Sequence, residues 1–328
     1  MKKNHKNNSL IFLVLIIAVI LFFVFSQSDG NIGSQLLVNL TSSAPYLSDK
    51  SQTASIQAVV ELHTNTLVLP TNTSTATVAP TDTLTPTATP TPEYFGVEII
   101  GRSVMDRPLE VYRFGNGEPA YMIIAGIHGG YEWNTVELAY ELIDLLIKEP
   151  ERVPQNRTLY VLPNLNPDGY EKDKGPDGRA NANNVDINRN WDANWQANWY
   201  GKNCWSYRFI TAGTGPESEP ETQALKDFLI EMNIEAVISY HSAAGSIFSG
   251  GYPYDEESIN LANQLSIASS YRFPPNYGDC LYTGQFIDWT SAQGIPSVDI
   301  ELRNHVDTDY LINVNVLKAF LNWENPSN

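Results

Sequence analysis

The sequence predicts an α/β domain, a three-layer α/β/α sandwich around a mixed, mostly parallel twisted sheet, filling residues 93–328. Two observations carry this. Short apolar, β-branched runs alternate along the region with longer stretches of helical period. No internal repeat interrupts the alternation, and 328 residues suffice for one substantial domain with appendages. In order, strands are expected near 96–101, 109–114 and 120–126, the last an apolar run ending in A-G-I-H. Val136, Leu138, Leu142, Leu145 and Leu146 then give a helix over 133–148. A strand follows at 158–163, a helix at 218–231, and a buried strand at 235–241, where A-V-I-S-Y-H is rich in β-branched and apolar residues. A helix at 256–269, the strand S-V-D-I-E-L at 297–302 and a helix at 308–322 complete the series.

The preceding residues read differently. Lys2, Lys3 and Lys6 stand before an unbroken apolar run of sixteen residues, Leu10 to Phe25. Residues 1–26 are therefore a signal peptide or an uncleaved signal anchor. The anchor is the preferred reading, with the basic side cytoplasmic and everything downstream outside the cell. Residues 27–92 show little periodicity, and from Thr71 to Pro92 fifteen of twenty-two residues are Thr, Ser or Pro. Such a stretch cannot bury enough apolar surface to fold and reads as a disordered stalk. The net charge of −17 argues against nucleic acid and against docking on anionic lipid. Cys204 and Cys280, both in the exported domain, are expected to pair, with two free thiols as the alternative. Four tryptophans, Trp191, Trp195, Trp199 and Trp205, crowd one loop, and packing of that loop is the favoured explanation over a substrate groove.

Chemistry concentrates in R-A-N-A-N-N-V-D-I-N-R-N-W, residues 179–191. Arg179 and Arg189 offer permanently charged, planar donor forks suited to a carboxylate or a polarised carbonyl, and Asn188 and Asn190 add neutral donors. Only three histidines lie beyond residue 92. His128 is followed closely by Glu132, His241 ends the buried strand at 235–241, and Glu301 ends the strand at 297–302. Two histidines and a glutamate form a three-ligand set for catalytic zinc with a fourth position open to water. A separate carboxylate can serve that water as general base. His63 and His305 receive no role. No H-E-x-x-H is present, which removes the commonest rival zinc-hydrolase motif.

Together these pieces resemble the zinc metallocarboxypeptidases of the carboxypeptidase A type, as a bacterial exported member, over nearly all of residue 95 to the end. I-G-R-S-V-M-D-R-P-L-E-V-Y-R-F-G, N-P-D-G-Y at 166–170, E-S-E-P-E-T at 217–222 and I-D-W at 287–289 belong to the same resemblance. It implies one Zn2+ per domain, ligated by His128, Glu132 and His241. Glu301 is implied as general acid/base and Arg179 as the group that polarises the scissile carbonyl and stabilises the oxyanion. Asn188 and Arg189 match the pair holding a substrate's free C-terminal carboxylate. Tyr282 matches the tyrosine that closes over it, and Asp186 an aspartate supporting a ligand histidine. Ile287 matches the base of the specificity pocket and, being apolar, suits a hydrophobic terminal residue.

Two departures stand out. The family spaces its first ligands H-x-x-E, whereas here the spacing is H-x-x-x-E, beside Gly129 and Gly130, which adopt conformations other residues avoid. The interval before I-D-W is also shorter than in pancreatic-type members. The expectation is an exported, membrane-anchored or secreted, monomeric carboxypeptidase acting on peptides. One alternative is a cell-wall peptide amidase for γ-D-glutamyl or diaminopimelate linkages. The other is a stalked zinc-binding module without activity.

Overall fold

Strands form where the apolar runs lie. β1 (Tyr94–Arg102), β2 (Pro108–Gly115), β3 (Ala120–Ile124), β4 (Thr158–Leu162), β5 (Ile234–Ser242), β6 (Ile247–Ser249) and β7 (Ser297–Leu302) make one sheet in the order β1-β2-β4-β3-β5-β7-β6. This computed structural model describes residues 94–199, 210–252, 254–278 and 280–327. The expected segments at 1–26 and 27–92, with Cys204 and Trp205, lie outside the described residues. The four central strands β4, β3, β5 and β7 run parallel, while β2 and β6 pair antiparallel to their neighbours. The sheet is mixed, as expected, and β6 is an addition, its three residues too few to show a repeated alternation.

The helices are α1 (Trp133–Lys148), α2 (Pro167–Lys172), α3 (Pro220–Glu231), α4 (Glu256–Ser269), α5 (Phe286–Ala292) and α6 (Tyr310–Leu321). The four long ones fall on the expected helical stretches. α2 and α5 were not foreseen, being only six and seven residues long. Local chemistry starts α2 all the same: the Asn166 side chain accepts the Gly169 N–H, and Pro167 takes the first turn, where no donor is needed. Asp255 caps α4 in the same way through the Ser258 N–H, at 3.0 Å.

Alternation along the strands builds the layers. Tyr121 and Ile123 of β3 join a buried cluster with Leu138 and Leu142 of α1, Leu261 and Leu265 of α4, and Leu317 and Phe320 of α6. Met122 and Ile124 face the other way, into a cluster with Leu225 and Leu229 of α3, Phe286 and Trp289 of α5, and Trp191. These are two apolar seams, one on each face of the sheet. Each such buried side chain contributes roughly 1.5–3 kcal/mol. The exposed Arg102–Asp106 pair, at 3.6 Å, belongs to a class worth about 0–1 kcal/mol. The seams therefore hold the sandwich.

The parallel register also places chemistry. β5 and β7 pair with Ser239 opposite Asp299 and His241 opposite Glu301. Val298, Ile300 and Leu302 point into the first seam, so Asp299 and Glu301 share the other face, at the carboxyl ends of the central strands. Ligands in open α/β sheets bind outside those ends. Among the described residues, no helix is long and apolar enough to cross a membrane.

Candidate metal centre

His128 follows β3 and opens a tight 3-10 turn, Gly129–Glu132, that runs directly into α1. The turn is possible because of two glycines. Gly129 has φ +47, and a Cβ on Gly130 would stand 2.0 Å from the Asp173 carbonyl oxygen. Their fit against the backbone of the α2 region swings Glu132 back under His128. The four-residue spacing thus still converges, with His128 Nδ1 2.8 Å from Glu132 Oε1.

His241 arrives from β5. Its Nδ1 lies 3.1 Å from Glu132 Oε2 and 3.2 Å from His128 Nδ1. All three side chains are buried, and their donor atoms fall within 4.8 Å of one another. Two imidazole nitrogens and a carboxylate in mutual contact form a donor set that could hold a metal ion. Tetrahedral zinc ligands at about 2.0–2.1 Å from the metal stand roughly 3.3 Å apart, so the spacing fits. The surrounding charge fits too. Four carboxylates, Glu132, Asp186, Asp299 and Glu301, surround the centre together with the guanidinium groups of Arg179 and Arg189, a setting that favours a cation.

The far side of each ring is also occupied. His128 Nε2 is 3.3 Å from Asp186 Oδ1. His241 Nε2 is 3.1 Å from Ser239 Oγ and 3.4 Å from Asp299 Oδ1. Arg179 Nε donates to Asp186 Oδ2 at 2.9 Å, and its Nη1 stands 3.6 Å from Glu132 Oε1. Burial alone would raise the Glu132 carboxyl, but the two imidazoles outweigh it and hold the group far below its ordinary value. Asp186 behaves likewise: Arg179 and His128 overcome burial and keep it ionised. Burial works against a charged His241, yet Asp299 and Glu132 lift it well above the ordinary imidazole range.

Glu301 differs from the other carboxylates. Burial, then the neighbouring Glu132 charge, push it up to about 7, although His241 and the Ala244 N–H donating to Oε2 at 3.2 Å favour its ionised form. A carboxyl held near neutrality is suited to both taking and giving a proton.

A second group lies on the turn Ile187–Arg189, capped by Asp186 accepting the Asn188 N–H at 3.0 Å. Asn188 Oδ1 accepts the first N–H of α5, from Phe286, at 2.9 Å. Arg189 hydrogen-bonds the Asn188 carbonyl, and its guanidinium lies 4.9 Å from the Trp199 ring centre and 4.8 Å from that of Tyr282. Tyr282 is 40 % exposed. Ile287 is 3 % exposed and belongs to the second seam. Trp191 is core, against Phe286 and Trp289 at 4.8 and 5.1 Å, and Trp195 donates to the Ala212 carbonyl at 3.0 Å. These two tryptophans pack their loop. Cys280 is disulfide-bonded.

Asp299 and Ser239 were not foreseen from the sequence. The one local hint is spacing: each stands two residues before Glu301 or His241, hence on the same strand face. A pocket of 420 Å3 lined by Asp192, Tyr252, Asp255 and Asp288 opens along α5 and includes none of the predicted site residues.

With this geometry in place, comparison gives the following. The family description "Zinc carboxypeptidase" matches residues 81–321. Carboxypeptidase O of Bos taurus is 33 % identical over 243 residues, 63 % of this chain and 64 % of that protein. Carboxypeptidase A1 of Sus scrofa is 30 % identical over 239 residues, 62 % and 56 %. The chain thus spans about six tenths of the curated relatives it matches. Among solved structures, the murein-tripeptide amidase MpaA of Escherichia coli O157 aligns with TM-score 0.52 and 25 % identity over 70 % of this chain and 92 % of that one. Bovine thrombin-activatable fibrinolysis inhibitor aligns with TM-score 0.55 and 26 % identity over 69 % and 88 %.

Proposed function

The chain belongs to the zinc carboxypeptidase family, and on that premise we propose that it is an exported metallocarboxypeptidase hydrolysing the C-terminal bond of peptides. The observation that carries the reading is the convergence of His128 Nδ1, Glu132 and His241 Nδ1, with Glu301 set beside His241 by strand register. These three residues would hold the zinc, which when bound would supply Lewis acidity to the scissile carbonyl and to an attacking water. Glu301 takes a proton from that water as its oxygen bonds to the carbonyl carbon. It then passes the proton to the departing amine as the C–N bond breaks. Arg179, fixed by Asp186, donates to the carbonyl oxygen as negative charge grows there. Asn188 and Arg189 grip the free terminal carboxylate, and Tyr282 covers it. Ile287 favours an apolar terminal side chain.

The sixteen-residue apolar run behind a basic start, and the disulfide at Cys280, support placement outside the cell, on an anchor or free. One observation favours a second reading, a cell-wall peptide amidase: the alignment with 92 % of a murein-tripeptide amidase. The inactive-module alternative loses ground because Glu301 and Arg179 both stand at the candidate centre.

The deciding experiment uses the full chain and its Glu301→Gln form, with zinc analysis and matched free-ended and amidated peptides. One zinc per chain, and cleavage needing both the free carboxylate and Glu301, is the expected result. Zinc with cleavage of muropeptides alone would transfer the chain to the second reading. Zinc-free protein would overturn both.

A further inference from the structure

Both candidate ligand histidines turn Nδ1 toward Glu132, so each has its Nε2 pointing away from the metal position. Behind His128 stands Asp186, a partner the family resemblance implies. Behind His241 stands Asp299, which that resemblance does not supply. We propose that Asp299 is a positioning residue for the metal centre, bracing His241 through Nε2 so that its Nδ1 lone pair faces the metal. This rests on the zinc reading above and deepens it.

Four observations carry the inference. The distances match, with 3.3 Å from His128 Nε2 to Asp186 Oδ1 and 3.4 Å from His241 Nε2 to Asp299 Oδ1. Asp299 is buried and its Oδ1 has no hydrogen-bond partner, so a proton on Nε2 is the donor that would satisfy it. Its backbone is fixed by sheet pairing: Asp299 lies opposite Ser239, two residues before His241 on the same strand face. A carboxylate at this position has no apolar purpose, since Val298 and Ile300 already fill the seam beneath. Ser239 Oγ also approaches Nε2, at 3.1 Å, but a hydroxyl can turn its own proton toward the ring and accept either tautomer. Only the carboxylate is acceptor alone, so it imposes the Nε2–H tautomer and leaves Nδ1 free to ligate. Two braced histidines, one by a loop and one by a strand, make the ligand cage rigid before metal arrives.

The test is zinc affinity of the full chain, measured without substrate by competition with a chelator, for the wild type, Asp299→Asn and Ser239→Ala. Asp299→Asn is expected to weaken zinc by about 10–100-fold. It is also expected to shift the visible absorption bands of the cobalt-substituted protein, which a change remote from the ligands would leave alone. Ser239→Ala should stay within about threefold of wild type, since the tautomer-setting partner remains. Should Asp299→Asn melt below room temperature, Asp299→Thr, uncharged and β-branched, takes its place under the same thresholds. Affinity within twofold of wild type and an unmoved cobalt spectrum would overturn the brace and leave the zinc reading standing. A wild type that binds no zinc would overturn both.

Discussion

Glu301 is the residue on which function and stability pull apart. Its carboxyl is pushed up to about 7 by burial and by Glu132, against an ordinary value near 4.5. As a general base it must be ionised, so kcat/KM is expected to fall as pH drops through the folded value, with the limb at or below about 7 because a bound dication favours the carboxylate. Glu301→Gln should cost roughly 10²–10⁴ in kcat with zinc retained. The same raised pKa has a stability consequence of the opposite sense. The folded state holds the proton more tightly than the unfolded one, so metal-free protein loses stability as pH climbs from about 4.5 to 7. The loss is on the order of 3 kcal/mol and complete above 7. Glu301→Gln lacks that penalty. With chelator present at pH 8 it should therefore melt higher than the wild type while being inactive. Equal melting temperatures at pH 8, or a wild type that gains stability between pH 5 and 7, would remove the buried-charge account. For Arg179 the expectation is simpler: Arg179→Ala should lower kcat by roughly 10²–10³. Its loss also frees Asp186 and Glu132 of a buried counter-charge, so the melt must be recorded alongside the rate.

At the scale of elements, one contact joins the two halves of the proposed substrate site. Gly284 has φ +63, and a Cβ there would stand 2.2 Å from the Arg189 carbonyl oxygen. Gly284→Ala must therefore push the Asn188–Arg189 turn away from α5. The expected outcome is a loss of about 1–3 kcal/mol in stability and a raised KM for free-ended peptides, with little change for amidated ones. An unchanged KM would detach Arg189 from carboxylate binding. This contact was invisible in the sequence, where nothing links Gly284 to the distant Arg189. Much else was legible. The β-branched run before His241 and the helical spacing of Val136 to Leu146 gave their elements nearly to the residue, because each buries a full apolar face. β6, α2 and α5 escaped because a three-residue strand and helices of under two turns are too short to repeat a pattern. Asp299 escaped for a different reason: its spacing from Glu301 marks the strand face, but that it lies opposite Ser239 is set by register between distant segments, which no local pattern reveals.

For the whole molecule the governing quantity is charge. A chain at −17 gathers four carboxylates and two guanidinium groups around one point, an acidic excess that protons on His241 and Glu301 offset only in part. Burying that imbalance is costly, and a divalent cation removes it. Metal binding should thus be a large share of the folding free energy rather than an addition to it. At free zinc a thousandfold above its dissociation constant, the bound state gains about 4 kcal/mol. For a domain of this size each kilocalorie moves Tm by roughly 2–4 °C, so stripping the metal should lower the melting temperature by about 8–16 °C. The donor set makes the rescue selective. Two imidazole nitrogens suit zinc or cobalt, whereas magnesium prefers oxygen ligands and should restore neither Tm nor activity. Calorimetry of the full chain, stripped and then reloaded with each ion, reads this directly. A Tm indifferent to chelation would mean that protons on His241 and Glu301 already offset the acidic excess. The histidines would then be structural partners of Glu132 rather than ligands, and a Tm restored by magnesium as well as by zinc would place the cation on the carboxylates alone.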